Sequence, residues 1–253
     1  CSVAISALFF HACSFSDDSM IDAPLTRADA VSEKIVFQDD FNQADSIPDR
    51  NKWSLCKKGS PAWSKYLSES YDQAYVHDGK LVLVAEKVNG VYKTGGVQSL
   101  GKAEFQYGKI EICARFTKTA KGGWPAIWMM PAKPVYSGWP ACGEIDIMEQ
   151  LNHDGIVYQT IHSHYKNDLG FTKPVPTKTV SYNKGQFNIF GIEWTPEALT
   201  FKVNGATTLV YPNLHLADES VKKQWPFDTS FYLILNYALG GPGTWPGTIT
   251  DSE

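Results

Sequence analysis

Apolar and polar residues alternate along most of this chain, and the alternating stretches are short. IVFQDDF (35–41), KLVLVAEK (80–87), GKIEICARF (108–116), YQTIHSHY (158–165), NIFGIEWT (188–195), LTFKVNG (199–205) and FYLILNYAL (231–239) are rich in β-branched and aromatic residues. Each is predicted to be a strand. Turn dipeptides fall between them: Asp78-Gly79, Asn89-Gly90, Asp154-Gly155 and Asn204-Gly205. No window keeps a helical period over three turns, and only DESVKKQW (218–225) reads as a single helical turn. Many short strands with few helices predict an all-β antiparallel sandwich or jelly roll. With no internal repeat and no second linker, residues 35–253 read as one domain, and a chain of 253 residues is long enough for a substantial core.

The first residues break the alternation. VAISALFF is an apolar run of eight, too short to span a bilayer as a helix and suited to the apolar part of a signal peptide. It leads into His-Ala-Cys13-Ser, which resembles a bacterial lipoprotein signal. Residues 1–12 are therefore expected to be a partial signal peptide and Cys13 the lipidated residue. Residues 13–34, polar and aperiodic, are expected to form a tether. The expected location is the bacterial cell envelope, with membrane contact only through this lipid anchor. The alternatives are a soluble secreted protein and a buried apolar strand. Beyond Cys1 and Cys13 stand Cys56, Cys113 and Cys142, and their spacing chooses no disulfide. No C-x-x-C or H-x-x-x-H pattern points to a metal.

Alternation also assigns faces. Ile110, Ile112, Ala114 and Phe116 share one side of their strand, with Glu111, Cys113 and Arg115 on the other. Tyr158, Thr160, His162 and His164 are expected to share a face that meets a polar ligand. The net charge is -4 with no basic stripe, which removes the electrostatic footprint of a nucleic-acid binder. The chain carries eight Trp, some of which are expected to be stacking platforms and the rest core residues.

GEIDIMEQ (143–150) holds the candidate chemistry. Glu144 and Asp146 are two apart and share a strand face, whereas Glu149, three further on, belongs to the opposite face. A β-bulge around Ile147–Met148 would reset the alternation and return Glu149 to the acidic side. The two glutamate carboxyls could then approach to about 5.5 Å, the spacing of a retaining glycosidase pair. Like charges so close do not all ionise, so one acid keeps a proton near neutral pH and can serve as a general acid. A calcium site or a solvated acidic edge is the competing reading.

GEIDIMEQ, with GGWPAIWMMP (122–131) before it, resembles glycoside hydrolase family 16 in its bulged branch. FQDDFN (37–42), SLGKAEFQYGKIEICARF (99–116), TIHSHY (160–165), FGIEWTPEALTFKVNG (190–205) and LILNYALGGPGTWPG (233–247) follow the family's order. The resemblance implies a β-jelly roll of the concanavalin A-like type, with a cleft across its concave sheet. It implies endo-hydrolysis of a β-linked polysaccharide with retention of configuration. By the motif, Glu144 is the expected nucleophile, Asp146 its assisting acid and Glu149 the acid/base. Trp124 and Trp128 are expected to line sugar subsites. Arg115, His162 and Asn236 are expected to contact hydroxyls, and Trp139 and Trp245 to add stacking rings. Trp suits the C–H face of a sugar, and Arg, His and Asn suit its hydroxyl belt.

The chain stops at GTITDSE253, where members continue into a further strand, so a sheet edge is expected to be open. The family's occasional structural calcium draws on that strand, and no metal or other cofactor is predicted. The expected activity is that of an endo-β-1,3(4)-glucanase acting as a monomer. The alternatives are a galactanase of the same family, a transglycosylase and a non-catalytic glycan-binding lectin.

Overall fold

The structure, a computed structural model, describes residues 4–10 by their backbone pairing, and residues 34–133, 135–217 and 224–250 in full. Fifteen strands run in chain order among these residues. They are β1 (Ala4–Phe10), β2 (Ser54–Leu55), β3 (Ala74–His77), β4 (Lys80–Val88), β5 (Val91–Thr94), β6 (Gly96–Gln98), β7 (Gly108–Phe116), β8 (Gly123–Pro131), β9 (Glu144–Gln150), β10 (Ile156–His162), β11 (Thr177–Ser181), β12 (Asn188–Trp194), β13 (Ala198–Val203), β14 (Ala206–Pro212) and β15 (Phe231–Leu239). A short helix, α1 (His164–Asn167), follows β10.

The strands make two antiparallel sheets. The larger has the order β14-β13-β12-β7-β1-β4-β3, with β5 paired to β4. The smaller has the order β11-β10-β9-β8-β15-β6-β2. Between them lies one apolar core. Leu81 and Leu83 of β4, Ala114 and Phe116 of β7, and Phe190, Ile192 and Trp194 of β12 enter it from one side. Ile127 and Met129 of β8, Ile145, Ile147 and Met148 of β9, and Leu233, Leu235 and Tyr237 of β15 enter it from the other. The chain is the all-β sandwich that its alternation predicts.

Local chemistry explains the connections. At Asp78-Gly79, Asn89-Gly90 and Asn204-Gly205 both residues have positive φ, between 49° and 84°. That is the two-residue hairpin turn whose twist matches the flanking strands. They join β3 to β4, β4 to β5 and β13 to β14.

Two expectations change. Residues 35–41 do not form a strand. Asp39 there accepts hydrogen bonds from the Phe41 amide and from Trp53 Nε1, and Phe41 has a φ of 53°, so the segment turns. The strand expected over 158–165 ends at His162, because Ser163 caps α1 by accepting from the Lys166 amide. His164 therefore leaves the strand face and pairs with Asp168 at 2.7 Å. The apolar run near the start pairs as β1 between β4 and β7. The helical turn expected at 218–225 lies mostly outside the described residues, as do the tether and Cys13.

Gly95, between β5 and β6, shows how tightly the sheets are joined. A Cβ there would lie 1.7 Å from the carbonyl oxygen of Gln73. Gly95 also donates its amide to Val84 and accepts from the Tyr237 amide, so the backbone cannot retreat. Gly95→Ala is expected to cost at least the upper end of the roughly 1–3 kcal/mol typical of overpacking. A urea melt of the variant beside the parent measures it.

Candidate active site

The acidic residues lie on β9, near the middle of the smaller sheet. In the register with β8, Ala126 faces Glu149, Ile127 faces Met148 and Trp128 faces Asp146. Ile147 is the residue left over. In the register with β10, Tyr158 faces Glu149 and Thr160 faces Asp146, with the break between them. This is the predicted bulge, at the predicted place. Its result is visible in burial: Ile145, Ile147 and Met148 are all fully buried in the core. Glu144, Asp146 and Glu149 therefore share the opposite face of the sheet, away from the core.

Each glutamate has an indole that orients it. Trp139 Nε1 donates to Glu144 Oε2 at 2.8 Å, and Trp124 Nε1 donates to Glu149 Oε1 at 2.8 Å. His162, from β10, places Nε2 3.2 Å from Asp146 Oδ2 and 3.8 Å from Glu144 Oε1. Asp146 Oδ2 is buried and has no well-aligned hydrogen bond of its own.

Burial raises all three acids. It pushes Glu144 up to about 8, helped by the Asp146 charge and opposed by His162 and the Trp139 N–H. Asp146 and Glu149 are raised first by burial as well, and the Asp146 charge adds to the rise at Glu149. Three carboxyls packed this closely in a dry cleft cannot all be charged near neutral pH. The cluster thus holds both a proton to give and a carboxylate to attack with, which is what acid-assisted nucleophilic displacement requires. Burial pushes His162 down, towards the neutral imidazole.

Aromatic rings border the acids. Trp245, 51% exposed, meets Trp124 edge-on with ring centroids 5.8 Å apart and Tyr158 at 4.9 Å. On the other side Trp139, 57% exposed, lies 5.6 Å from the His162 ring. The acidic row therefore runs between two exposed indoles, one tied to each glutamate's neighbourhood.

Several expected contacts move. Trp128 is buried, its Nε1 donating to Asn236 Oδ1 at 2.7 Å while Trp63 sits edge-on against it at 4.9 Å. It is a wall under the cleft and not an open stacking ring. Asn236 is likewise buried, with its oxygen taken by Trp128 and its Nδ2 without a hydrogen-bond partner among the described residues. Arg115 is not at the site. It belongs to β7 in the other sheet, on the side away from the core, with its guanidinium 4.7 Å over the Phe187 ring. Its sequence position beside a matching motif concealed that β7 is across the sandwich. Of the cysteines, Cys113 is disulfide-bonded, and Cys56 and Cys142 are buried free thiols.

Lys166 went unrecognised in the sequence. Its Nζ lies 3.3 Å from His162 Nδ1. The sequence signal was the four-residue spacing from His162, usable only if a helix starts at Ser163. Trp63 was also missed, since SPAWSKY carries no motif.

Glu144, Asp146 and His162 bring ligand atoms within 4.8 Å of one another, close enough to surround a cation. The Lys166 ammonium beside His162 opposes a divalent ion there. We assign the trio no metal.

The sequence of residues 63–250 matches the model of Glycosyl hydrolases family 16. The chain belongs to glycosyl hydrolase family 16. The keratan-sulfate endo-1,4-beta-galactosidase of Sphingobacterium multivorum is 38% identical over 228 residues. The match covers 87% of this chain and 52% of that protein, so the chain spans about half the length of this relative. The beta-glucanase of Rhodothermus marinus is 33% identical, over 85% of this chain and 77% of that one. A solved structure from work on endo-acting O-glycanases of the human gut microbiota, which initiate mucin breakdown, superposes with a TM-score of 0.76. It is 37% identical and covers 86% of this chain and 92% of the other. The chain is thus a family 16 glycosidase fold with its acidic row, bulge and indoles in one cleft.

Proposed function

We propose that the chain is a retaining endo-β-glycosidase, and that the linkage it cleaves is a β-galactosidic one within a glycan. The mechanism rests on one observation: the bulge at Ile147 turns Glu144, Asp146 and Glu149 onto one face of the sheet. In the fraction of molecules where it is the carboxylate, Glu144 attacks the anomeric carbon and forms a glycosyl ester, while the bond from that carbon to the leaving sugar's oxygen breaks. Glu149 gives its proton to that oxygen. Glu149, now a carboxylate, takes a proton from water. The water oxygen attacks the anomeric carbon and releases Glu144. Asp146, between them, bears on Glu144's charge and protonation. Trp139 and Trp245 flank the reacting sugar, where an indole can cover a ring's C–H face.

The preference for galactosides rests on the greater likeness to the galactosidase relative, 38% against 33% for the beta-glucanase. That last relative keeps an endo-β-1,3(4)-glucanase as the second reading. The test is a product panel on keratan sulfate, mucin O-glycans, barley mixed-linkage glucan, laminarin and agarose. Oligosaccharides from the first two support the proposal. Release from the glucans alone moves the assignment to the glucanase, and release from agarose alone to an agarase-type galactanase. Binding without products makes the protein a glycan-binding module.

We also propose that the chain is held at the cell envelope through Cys13. Maturation there would remove β1, so the mass of the mature protein's N-terminal peptide decides between a lipidated Cys13 and a retained β1.

A further inference from the structure

His162 reaches the acids with one ring nitrogen and a cation with the other. Nε2 faces Asp146 Oδ2 at 3.2 Å and Glu144 Oε1 at 3.8 Å. Nδ1 faces Lys166 Nζ at 3.3 Å, and the Asn167 amide presents both Nδ2, at 3.0 Å, and Oδ1, at 3.3 Å, to it. Asn167 Oδ1 also accepts from the Ser163 amide at 3.2 Å. An ammonium has three N–H groups and no lone pair to offer. Facing Lys166, Nδ1 accepts. The ring proton then belongs on Nε2, on the side of Asp146.

The fold builds this arrangement deliberately into the chain's geometry. β10 ends at His162, and Ser163 caps α1 by accepting from the Lys166 amide. The one turn of helix returns Lys166 and Asn167 to the imidazole that the strand has just delivered. An imidazolium at this place would set an N–H on Nδ1 against the Lys166 ammonium, an arrangement that costs energy in a partly dry site. The groups facing His162 are Glu144 and Asp146 from β9, Lys166 and Asn167 from α1, and the Trp139 ring. Lys166 also attracts Asp146, Glu144 and Glu149 electrostatically, as the one lysine that does so among the described residues.

We infer that Lys166 is a positioning residue of the active site: it holds His162 as the neutral tautomer protonated on Nε2, facing Asp146, and its charge partly offsets the acidic row. This rests on the reading of that row as catalytic, but its first readout needs no activity. The protein is labelled with ¹⁵N-histidine, and the His162 signals are assigned by their loss in His162→Gln. In the parent they show a bare Nδ1 and a protonated Nε2 at pH 7, and they keep that form to pH 6. In Lys166→Met the ring becomes a mixture of tautomers or an imidazolium at pH 6, and Lys166→Arg restores the parent pattern. Kinetically, Lys166→Met moves the acid limb of kcat/KM up by about one pH unit, a roughly tenfold loss at fixed pH on that limb. Lys166→Arg brings the limb back. A thermal melt of each variant separates these effects from misfolding, and Lys166→Gln serves as a second neutral variant. The inference is overturned if His162 keeps one tautomer in both Lys166→Met and Lys166→Gln. It is equally overturned if their losses appear only on sulfated glycans, since Lys166 would then read an anionic substituent of the substrate. If the parent has no glycanase activity while the tautomer result holds, the positioning stands and the catalytic reading fails.

Discussion

Glu144→Gln is expected to lower turnover by roughly 10⁴-fold or more while leaving glycan binding in place. Gln cannot form the glycosyl ester, and no other residue can take that role. Asp146 stands two positions along the same face, but its carboxylate is directed to His162. Gln preserves the shape of the side chain and can still accept from Trp139 Nε1, as Glu144 does at 2.8 Å. The two exposed indoles beside the acidic row, Trp139 and Trp245, are therefore unchanged. The measurement is a pair of assays on the same preparation: product release on the glycan identified by the panel, and binding of that glycan by calorimetry. Product release at the parent's rate would remove Glu144 from the mechanism.

The same substitution has a second consequence, for stability. Burial lifts the Glu144 carboxyl from its ordinary 4.5 to about 8. Between those values the native protein binds a proton that the unfolded chain has released. Stability from this group is complete below about pH 4.5 and is lost as pH rises through 8. Gln carries no charge at any pH. Glu144→Gln is thus expected to be more stable than the parent at pH 8, by about 1–3 kcal/mol, with the gap closing toward pH 4. Thermal melts at the two pH values read this directly. A variant that is less stable at pH 8 would mean that Glu144 is a stabilising charge in the native cleft.

Glu149→Gln is the second large effect, a loss of roughly 10²–10⁴-fold in kcat on a natural glycan. Burial raises Glu149, and the neighbouring Asp146 and Glu144 charges raise it further, whereas the Trp124 N–H lowers it. In the proposed mechanism the proton it keeps is the one delivered to the leaving oxygen. Two signatures separate this role from a structural one. A substrate with an aryl leaving group needs little acid help, so formation of the glycosyl ester survives in the variant. The alkaline limb of the pH profile, which reports loss of that proton, disappears. A variant that loses the aryl and natural substrates equally would place Glu149 in binding, and persistence of the alkaline limb would place the titrating proton elsewhere.

The layout of β9 was readable in advance because an alternation of period two is strict. Glu149 could share a face with Glu144 and Asp146 only through an inserted residue, and the flanking Ile145, Ile147 and Met148 all had to find the core. Strands β7 and β15 were readable for the same reason, as were the hairpins at Asp-Gly and Asn-Gly. The partners across the sandwich were not. Arg115 alternates correctly within β7, but nothing local says that β7 lies in the sheet opposite the cleft. Trp128 is a tryptophan in an apolar strand, and only the packing of Trp63 and Asn236 against it decides that it is wall and not platform. Lys166 depended on a helix of four residues, below the length at which a helical period can be recognised. Its effect comes from a strand ending where alternation predicted that it would continue.

Retention of anomeric configuration is the central claim, since it follows from two glutamates that the bulge brings to one face. The direct measurement is proton NMR of the reaction in progress on whichever glycan the panel identifies, following the anomeric signal of the newly released reducing end before mutarotation. A β-anomer appearing first, with the α-anomer growing in later, is the predicted result and requires two displacements through Glu144. An α-anomer appearing first would mean a single displacement by water, and the pairing of Glu144 as nucleophile with Glu149 as acid/base would be wrong.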